Sequence, residues 1–325
     1  MLIRFFKNNS PSSFVLLPLF ALVLWIAVFF ITHEVTDIGM PLYNMVIKWF
    51  NGINTIAVFI AFLIMLAEAF LLNYIVNENE ILTKPSFLPA LLYIVFMSSD
   101  TVLLTAYPLL FANFFILLSI HKLVSSYRKD TAFSNAFDAG FLLSISTLFY
   151  FPGIVFFPLL GIGFILFRPF NWREWVISFI GVLLPYTFVF TYYFWNDMLG
   201  NLWTIKLFYS NPEHSQLGFS AGFYFMLCAS LVLVFFSFGK LFTGFSEATQ
   251  KNKKGIILLL WLTAFSLLSV FLSPEITLRN FSVLAIPASV FCSNYFLKIK
   301  KLQWGEVLFV LLLIAIFTNH LLDYL

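Results

Sequence analysis

The chain has 325 residues, of which 61% are hydrophobic and only 10% are charged, and its formal net charge is +3. Soluble globular domains carry about 25% charged residues, so the composition excludes a fold with a fully water-facing surface. The basic residues are spread over short loops, whereas a phosphate backbone requires a clustered cationic patch, so we expect no nucleic-acid partner. Cys228 and Cys292 lie inside apolar runs, which predicts that they act as small hydrophobic side chains and form no disulfide or metal framework.

Apolar stretches that are long enough to cross a bilayer recur along the whole chain. A hydrocarbon core about 30 Å thick needs about 20 residues of helix. This length predicts an all-α polytopic bundle of about eleven transmembrane helices in a single domain, residues 1–325. Pro152 and Gly153 leave open a single kinked helix over 137–167. The predicted spans are 13–32, 54–76, 86–103, 106–124, 137–151, 153–167, 174–195, 220–242, 255–273, 280–297 and 304–323.

The basic residues predict the orientation of these spans. With the N-terminus in the cytoplasm, only Lys48, Lys206 and Arg279 of the 18 Lys and Arg residues fall in outer segments. Lys and Arg concentrate in the cytoplasmic loops of membrane proteins, so we predict a cytoplasmic N-terminus. The opposite side is called the outer side below.

The first outer loop, residues 33–53, contains two acidic residues. Glu34 and Asp37 are three apart, so they would share a face on a helical turn. A carboxylate pair near a membrane surface can bind a divalent cation or act as a general base; the alternative is a pair of solvated loop acids. Residues 41–50 follow with apolar and polar side chains on opposite sides, which predicts an amphipathic helix in the membrane interface.

Two further carboxyl groups lie within or at the end of a span. Glu68 falls inside the second span, where ionisable residues are candidates for function; the alternative is a hydrogen-bonded side chain that faces Asn73 or a neighbouring helix. Asp100 ends the third span on the outer side. It is either a second catalytic acid or the N-cap of the apolar run that begins at Thr101.

The remaining outer candidates lie in the second half of the chain. The loop 196–219 combines Trp, Tyr, amide and carboxylate side chains with Lys206 and His214, which suits a sugar or a phosphorylated headgroup, although interfacial aromatics are also ordinary anchors. Arg279 precedes an apolar helix on the outer side. A guanidinium there suits bidentate binding of a pyrophosphate, and the alternative is an ion pair with Glu275.

Three stretches resemble the polytopic GT-C-type glycosyltransferases, over about residues 10–297 and in pattern, without an invariant motif. After a first helix, an acidic outer loop and an interfacial helix comes SSDTVLLTAYPLLFANFFILLSIHKLV. Residues 137–194 contain a small-residue helix, a proline break, a basic turn and a proline-containing helix. The late stretch is TLRNFSVLAIPASVFCSNYF. The chain lacks that family's adjacent acidic pair and large periplasmic domain, and it also resembles uncharacterised membrane proteins of gliding-type bacteria.

The resemblance implies an enzyme that moves a sugar from a polyprenyl-phosphate carrier at the outer face of a bacterial inner membrane. It implies Glu34 or Asp37 as the metal ligand or acceptor-activating base, with Asp100 as a second acid. A divalent cation is then the expected cofactor, a lipid-linked sugar the expected partner, and Arg279, Lys206 and His214 the expected ligands of the substrate or its phosphate.

Two other classes of function stay open. A non-enzymatic scaffold or assembly subunit of a membrane complex predicts a protein partner that co-purifies and no polar groove. A small-molecule transporter is the third hypothesis. It ranks last because Glu68 is nearly the only intramembrane charge, and ion-coupled carriers usually need more.

Overall fold

Most of the backbone that the structure describes is helical, because a chain in hydrocarbon has to satisfy its backbone hydrogen bonds internally. The structure, a computed structural model, describes every residue except 1, 8–9, 31–39, 50–53, 199, 201–220, 242–247, 274–276, 300–301 and 325. Within the described residues there are thirteen α-helices and no β-strand. Six helices are long and apolar enough to cross a membrane, and shorter apolar helices accompany them. The predicted all-α polytopic membrane bundle is thereby confirmed.

The helices follow one another with short connections. They are α1 (Leu2–Phe6), α2 (Pro11–Trp25), α3 (Pro41–Trp49), α4 (Asn54–Glu78), α5 (Leu88–Met97), α6 (Pro108–Val124), α7 (Phe133–Phe149), α8 (Phe157–Phe167), α9 (Trp172–Trp195), α10 (Ala221–Leu241), α11 (Gln250–Leu272), α12 (Ala285–Lys298) and α13 (Leu302–Tyr324). The 3-10 segments in the described part of the chain are Ile26–Phe30, Thr101–Leu104, Phe151–Phe156 and Leu278–Leu284.

Each of the eleven predicted spans contains one helix of the bundle, α2 or one of α4 to α13. The predicted amphipathic segment is α3, with Tyr43 turned inward and 1% exposed. The open choice at Pro152 is decided in favour of two helices, since α7 ends at Phe149 and the 3-10 segment precedes α8. Proline disfavours helical backbone in the residue before it and lacks an N–H of its own, which explains the break.

The short helix α5 forms the centre of the bundle. All of its residues except Phe96 are buried, as expected for a helix that is apolar on every side. It packs against α4, α2 and α12. α5 ends at Met97, and the stretch 98–107 that follows it is buried except at Ser99 and Val102.

Two glycines hold α9 against α7. A Cβ at Gly140 would collide with the carbonyl oxygen of Ser178, and a Cβ at Gly181 would collide with that of Phe137. Only glycine permits this close approach of two backbones. Ser144 adds a hydrogen bond, its hydroxyl donating to the carbonyl of Val182 at 2.7 Å, so the position of α9 is set by α7.

A buried ion pair closes the opposite, predicted cytoplasmic, side. Arg168 and Glu174 have side chains that are 5% and 2% exposed, and the guanidinium bonds both carboxylate oxygens, one of them at 3.1 Å. Arg168 also donates to the backbone carbonyls of Lys129 and Asp130. One side chain therefore ties the α8–α9 turn to the α6–α7 turn.

Candidate functional site

Four segments meet in a polar cluster on the outer side. They are α3, the stretch 98–107 between α5 and α6, the stretch 277–284 before α12, and the C-terminal part of α13. We call the side chains that join them the outer cluster. Its members are Tyr43, Asp100, Thr105, Tyr107, Arg279 and Asn319.

Asp100 lies at the centre of this cluster and is 4% exposed. Its backbone is extended, and its Oδ1 accepts the N–H of Val102 at 3.0 Å, so it caps the 3-10 segment Thr101–Leu104. The N-cap interpretation of Asp100 thus agrees with the geometry. Its second oxygen, Oδ2, accepts from Nδ2 of Asn319 at 3.1 Å. The capping bond holds the carboxylate at the start of the loop, and Asn319 joins it to the last helix.

Arg279 approaches the same loop from the stretch 277–284. Its Nε donates to the carbonyl of Val102 and its Nη2 to Oγ1 of Thr105, both at 3.3 Å. The guanidinium also lies over the ring of Tyr107, 5.9 Å from the centroid, a cation–π arrangement. Among the residues that the structure describes, Nη1 has no acceptor. Arg279 is partly exposed, so its remaining donors are available to an anion.

The amphipathic helix α3 is fastened to the cluster by Tyr43. The phenol donates to the carbonyl of Ala106 at 3.0 Å, and the ring meets Phe111 edge to face with centroids 6.1 Å apart. The described chain resumes at Met40, three residues after Asp37. The segment that follows the acidic loop is therefore anchored directly beside the segment that Asp100 caps.

Trp25 brings the outer part of the first span to the same loop. Its Nε1 donates to Oγ of Ser98 at 3.0 Å, and both residues are fully buried. Trp25 of span one and Arg279, which directly precedes span ten, therefore both contact the stretch 98–107 that follows α5. Span seven differs: the outer end of α9 carries Phe190, Phe194 and Trp195, each more than half exposed, because α9 is held along α7.

The structure brings together two of the predicted site residues, Asp100 and Arg279. The other four, together with Glu275, lie outside the described residues, and their roles stay predictions: Glu34, Asp37, Lys206 and His214. The proposed cation site depends on Glu34 and Asp37 and so stays a prediction as well. Elsewhere in the described chain, no group of three or more His, Cys, Asp or Glu is placed to hold a metal ion.

Sequence reasoning missed four members of the outer cluster, and one of them, Tyr43, lies within the predicted amphipathic helix. Thr105 and Tyr107 stand in an apolar stretch just before Pro108, where a break between helices is a local signal for polar side chains that meet other segments. Asn319 lies in the last span within Thr318-Asn319-His320. A run of polar residues inside an apolar helix is a signal for a partner inside the bundle, but it does not identify which helix supplies the partner.

Comparison with known proteins adds a fold likeness and a family. No curated protein matches the chain. The crystal structure of ArnT from Cupriavidus metallidurans in the apo state is similar with a TM-score of 0.57, at 14% identity, over 92% of this chain. The aligned part is 62% of ArnT, so the chain spans less than two thirds of its length. At this identity the likeness shows a shared fold. A family of unknown function, DUF6427, matches residues 1–324, and the chain belongs to that family.

Proposed function

We propose that this protein is a glycosyltransferase-like membrane enzyme that takes a sugar from a polyprenyl-phosphate carrier on the outer side of a bacterial inner membrane. In this proposal Arg279, with Lys206 and His214, binds the phosphate. Glu34 or Asp37 activates the acceptor, and Asp100 is the second acid. The acceptor oxygen forms a bond to the anomeric carbon, the bond from that carbon to the phosphate oxygen breaks, and the acceptor proton passes to the activating carboxylate.

The observation that carries the proposal is the position of Arg279 beside Asp100. The Asp100 carboxylate and the Arg279 guanidinium come from different segments and bind the N–H and the carbonyl of the same residue, Val102. Arginine binds phosphate oxygens bidentately, and donors that are already oriented stabilise the charge that develops on a leaving phosphate. The likeness to ArnT, a polyprenyl-phosphate-linked sugar transferase, supports the same class of donor.

Turnover of a defined donor tests this proposal. The purified protein in nanodiscs is given radiolabelled undecaprenyl-phosphate glucose together with membrane and periplasmic extracts as the acceptor source. We expect transfer of label by the wild type and a loss of at least about 100-fold in Arg279→Ala and in either Glu34→Ala or Asp37→Ala.

The matched control is Arg173→Ala, which removes an exposed arginine on the predicted cytoplasmic side. It should transfer label at the wild-type rate. Wild-type turnover in all three outer variants refutes the assignment of the site. A partner protein that co-purifies with an inactive wild type points instead to the scaffold class.

A further inference from the structure

Glu68 is a carboxyl group buried in the middle of the bundle, outside the site described above. It is 0% exposed, and its Oε2 accepts the hydroxyl of Tyr93 from α5 at 2.8 Å. Its Oε1 has no hydrogen-bond partner among the described residues. The neighbour that fixes Glu68 is therefore Tyr93 on the adjacent helix and not Asn73 on its own helix.

A chain of buried polar groups leads from Glu68 toward the outer cluster. Asn113 of α6 lies beside the phenol of Tyr93, and its Nδ2 donates to Oγ of Ser282 at 3.3 Å. Ser282 lies near the phenol of Tyr107, and the Tyr107 oxygen has no hydrogen-bond partner among the described residues. All of these side chains are at most 3% exposed. We call this the buried polar chain; it connects α4, α5 and α6 with the 3-10 segment Leu278–Leu284.

Tyr107 joins the buried polar chain to Arg279. Residues three apart in a 3-10 helix lie on the same side, so Arg279 and Ser282 both face this tyrosine. The guanidinium lies over the ring and Ser282 lies beside the hydroxyl. Displacing Ser282 would therefore shift Tyr107, whose ring lies under the guanidinium of Arg279.

Packing alone does not account for Glu68. A buried polar group in hydrocarbon costs free energy unless it is hydrogen-bonded, and an apolar residue of similar volume often packs there with equal or greater stability. The carboxyl group fixes the orientation of the Tyr93 phenol, because a hydrogen bond is directional and an apolar contact is not.

We propose that Glu68 is a positioning residue for Arg279. It orients Tyr93, and through Asn113 and Ser282 it holds the segment Leu278–Leu284 at the distance at which Arg279 reaches the outer cluster. This rests on the proposed function in one respect, namely that Arg279 binds the phosphate of the lipid carrier. The ligand class is a polyprenyl phosphate, and Glu68 does not touch it.

A double-mutant cycle tests the path from Glu68 to Arg279. Binding of undecaprenyl phosphate to the full chain in nanodiscs is measured for Glu68→Leu, Arg279→Ala and the double variant. We expect Glu68→Leu to weaken binding about tenfold in the wild type and less than about twofold in Arg279→Ala, because residues in one network couple. Glu68→Gln keeps a carbonyl oxygen for Tyr93 and should restore binding to within about twofold.

Hydrogen exchange tests the same positioning without any ligand. Glu68→Leu should raise amide exchange in a peptide that covers Leu278–Leu284, while Glu68→Gln should leave it unchanged. The matched control is Asn73→Leu, which removes a buried polar side chain of the same helix that is 5% exposed and is not part of the buried polar chain. It should leave exchange in that peptide at the wild-type level.

The two measurements separate failure of the inference from failure of the proposed function. Unchanged exchange in Glu68→Leu, or an equal loss of binding in both backgrounds, overturns the positioning role. A wild type that does not bind undecaprenyl phosphate overturns the proposed function, while the exchange result still decides the role of Glu68. If Glu68→Leu does not fold, Tyr93→Phe removes the same hydrogen bond at nearly constant volume, and the same outcomes apply.

Discussion

Asp100 and Arg279 hold the backbone of a single residue, Val102, from its two ends. The carboxylate of Asp100 accepts the Val102 N–H at 3.0 Å, and the guanidinium of Arg279 donates to the Val102 carbonyl at 3.3 Å. An acid and a cation from opposite halves of the chain are thereby separated by one residue's backbone. This arrangement requires α5 and α6, which flank the loop, to hold their positions in the bundle.

Capping and catalysis by Asp100 can be separated with two substitutions. Asp100→Asn keeps an oxygen for the Val102 N–H, and Asn is as good an N-cap as Asp. Its amide nitrogen replaces the oxygen that accepts from Asn319, so the free energy of unfolding should fall by about 1 kcal/mol. Turnover should nevertheless fall about 100-fold because the charge is lost. Asp100→Ala should in addition lower the free energy of unfolding by about 1–2 kcal/mol. Full turnover in Asp100→Asn would restrict this residue to capping.

The fork shape of Arg279 should matter as well as its charge. Arg279→Lys keeps a cation but cannot reach the Val102 carbonyl and Thr105 Oγ1 together while also presenting donors to a phosphate. Binding of undecaprenyl phosphate should weaken about tenfold in Arg279→Lys and about 100-fold in Arg279→Ala. Calorimetric titration in nanodiscs measures both constants, and wild-type affinity in the lysine variant would contradict a bidentate role.

Removal of one partner from the buried ion pair should be costly. Arg168→Ala leaves Glu174, with a side chain 2% exposed, without its cation and should lower the free energy of unfolding by about 3–5 kcal/mol. The control is Lys122→Ala, which breaks an ion pair with Asp138 whose side chains are about one third exposed and should cost less than about 1 kcal/mol. Chemical unfolding in detergent micelles measures both, and equal losses would show that burial is irrelevant here.

The close approach of α7 and α9 predicts opposite effects for two glycine substitutions. Gly181→Ala places a methyl group against the backbone of Phe137 and should destabilise the fold by at least about 2 kcal/mol. Gly239→Ala in α10 meets nothing within 4 Å and should stabilise it by about 0.5–1 kcal/mol, since alanine favours helix. Thermal unfolding compares the two, and a neutral Gly181→Ala would mean that the helices separate easily.

Cysteine labelling tests the predicted orientation. Val102 is 38% exposed, so Val102→Cys should react with a membrane-impermeant maleimide added to intact cells, whereas Lys253→Cys should react only after the cells are opened. Cys228 is exposed and Cys292 is buried, so Cys228→Ser is the background for both variants. Labelling of position 253 from outside would invert the topology and remove the proposed outer site.

Part of the candidate site was visible in local sequence. Asp100 before an apolar run predicted an N-cap, and the structure shows that cap, formed on a 3-10 segment. The pattern over 41–50 predicted an amphipathic helix, and the structure has the helix α3 there. Both features depend on a few neighbouring residues, because capping and amphipathicity are decided within one or two turns.

The amino-acid sequence predicted an all-α membrane bundle and the order of its apolar helices, since a hydrocarbon core about 30 Å thick requires long apolar runs. It did not predict the lengths of all of them: α5 has 10 residues where the span 86–103 was predicted, and six helices of the described chain are long enough to cross a membrane. The three-dimensional packing was needed to show that Arg279 and Asp100 bind the same residue, Val102. It was also needed to show that Asn319 reaches the Asp100 carboxylate and that α9 lies along α7. Those relationships depend on which helices pack together. Packing is settled by the fit of side chains and glycines between distant segments, and no local pattern in one chain encodes it.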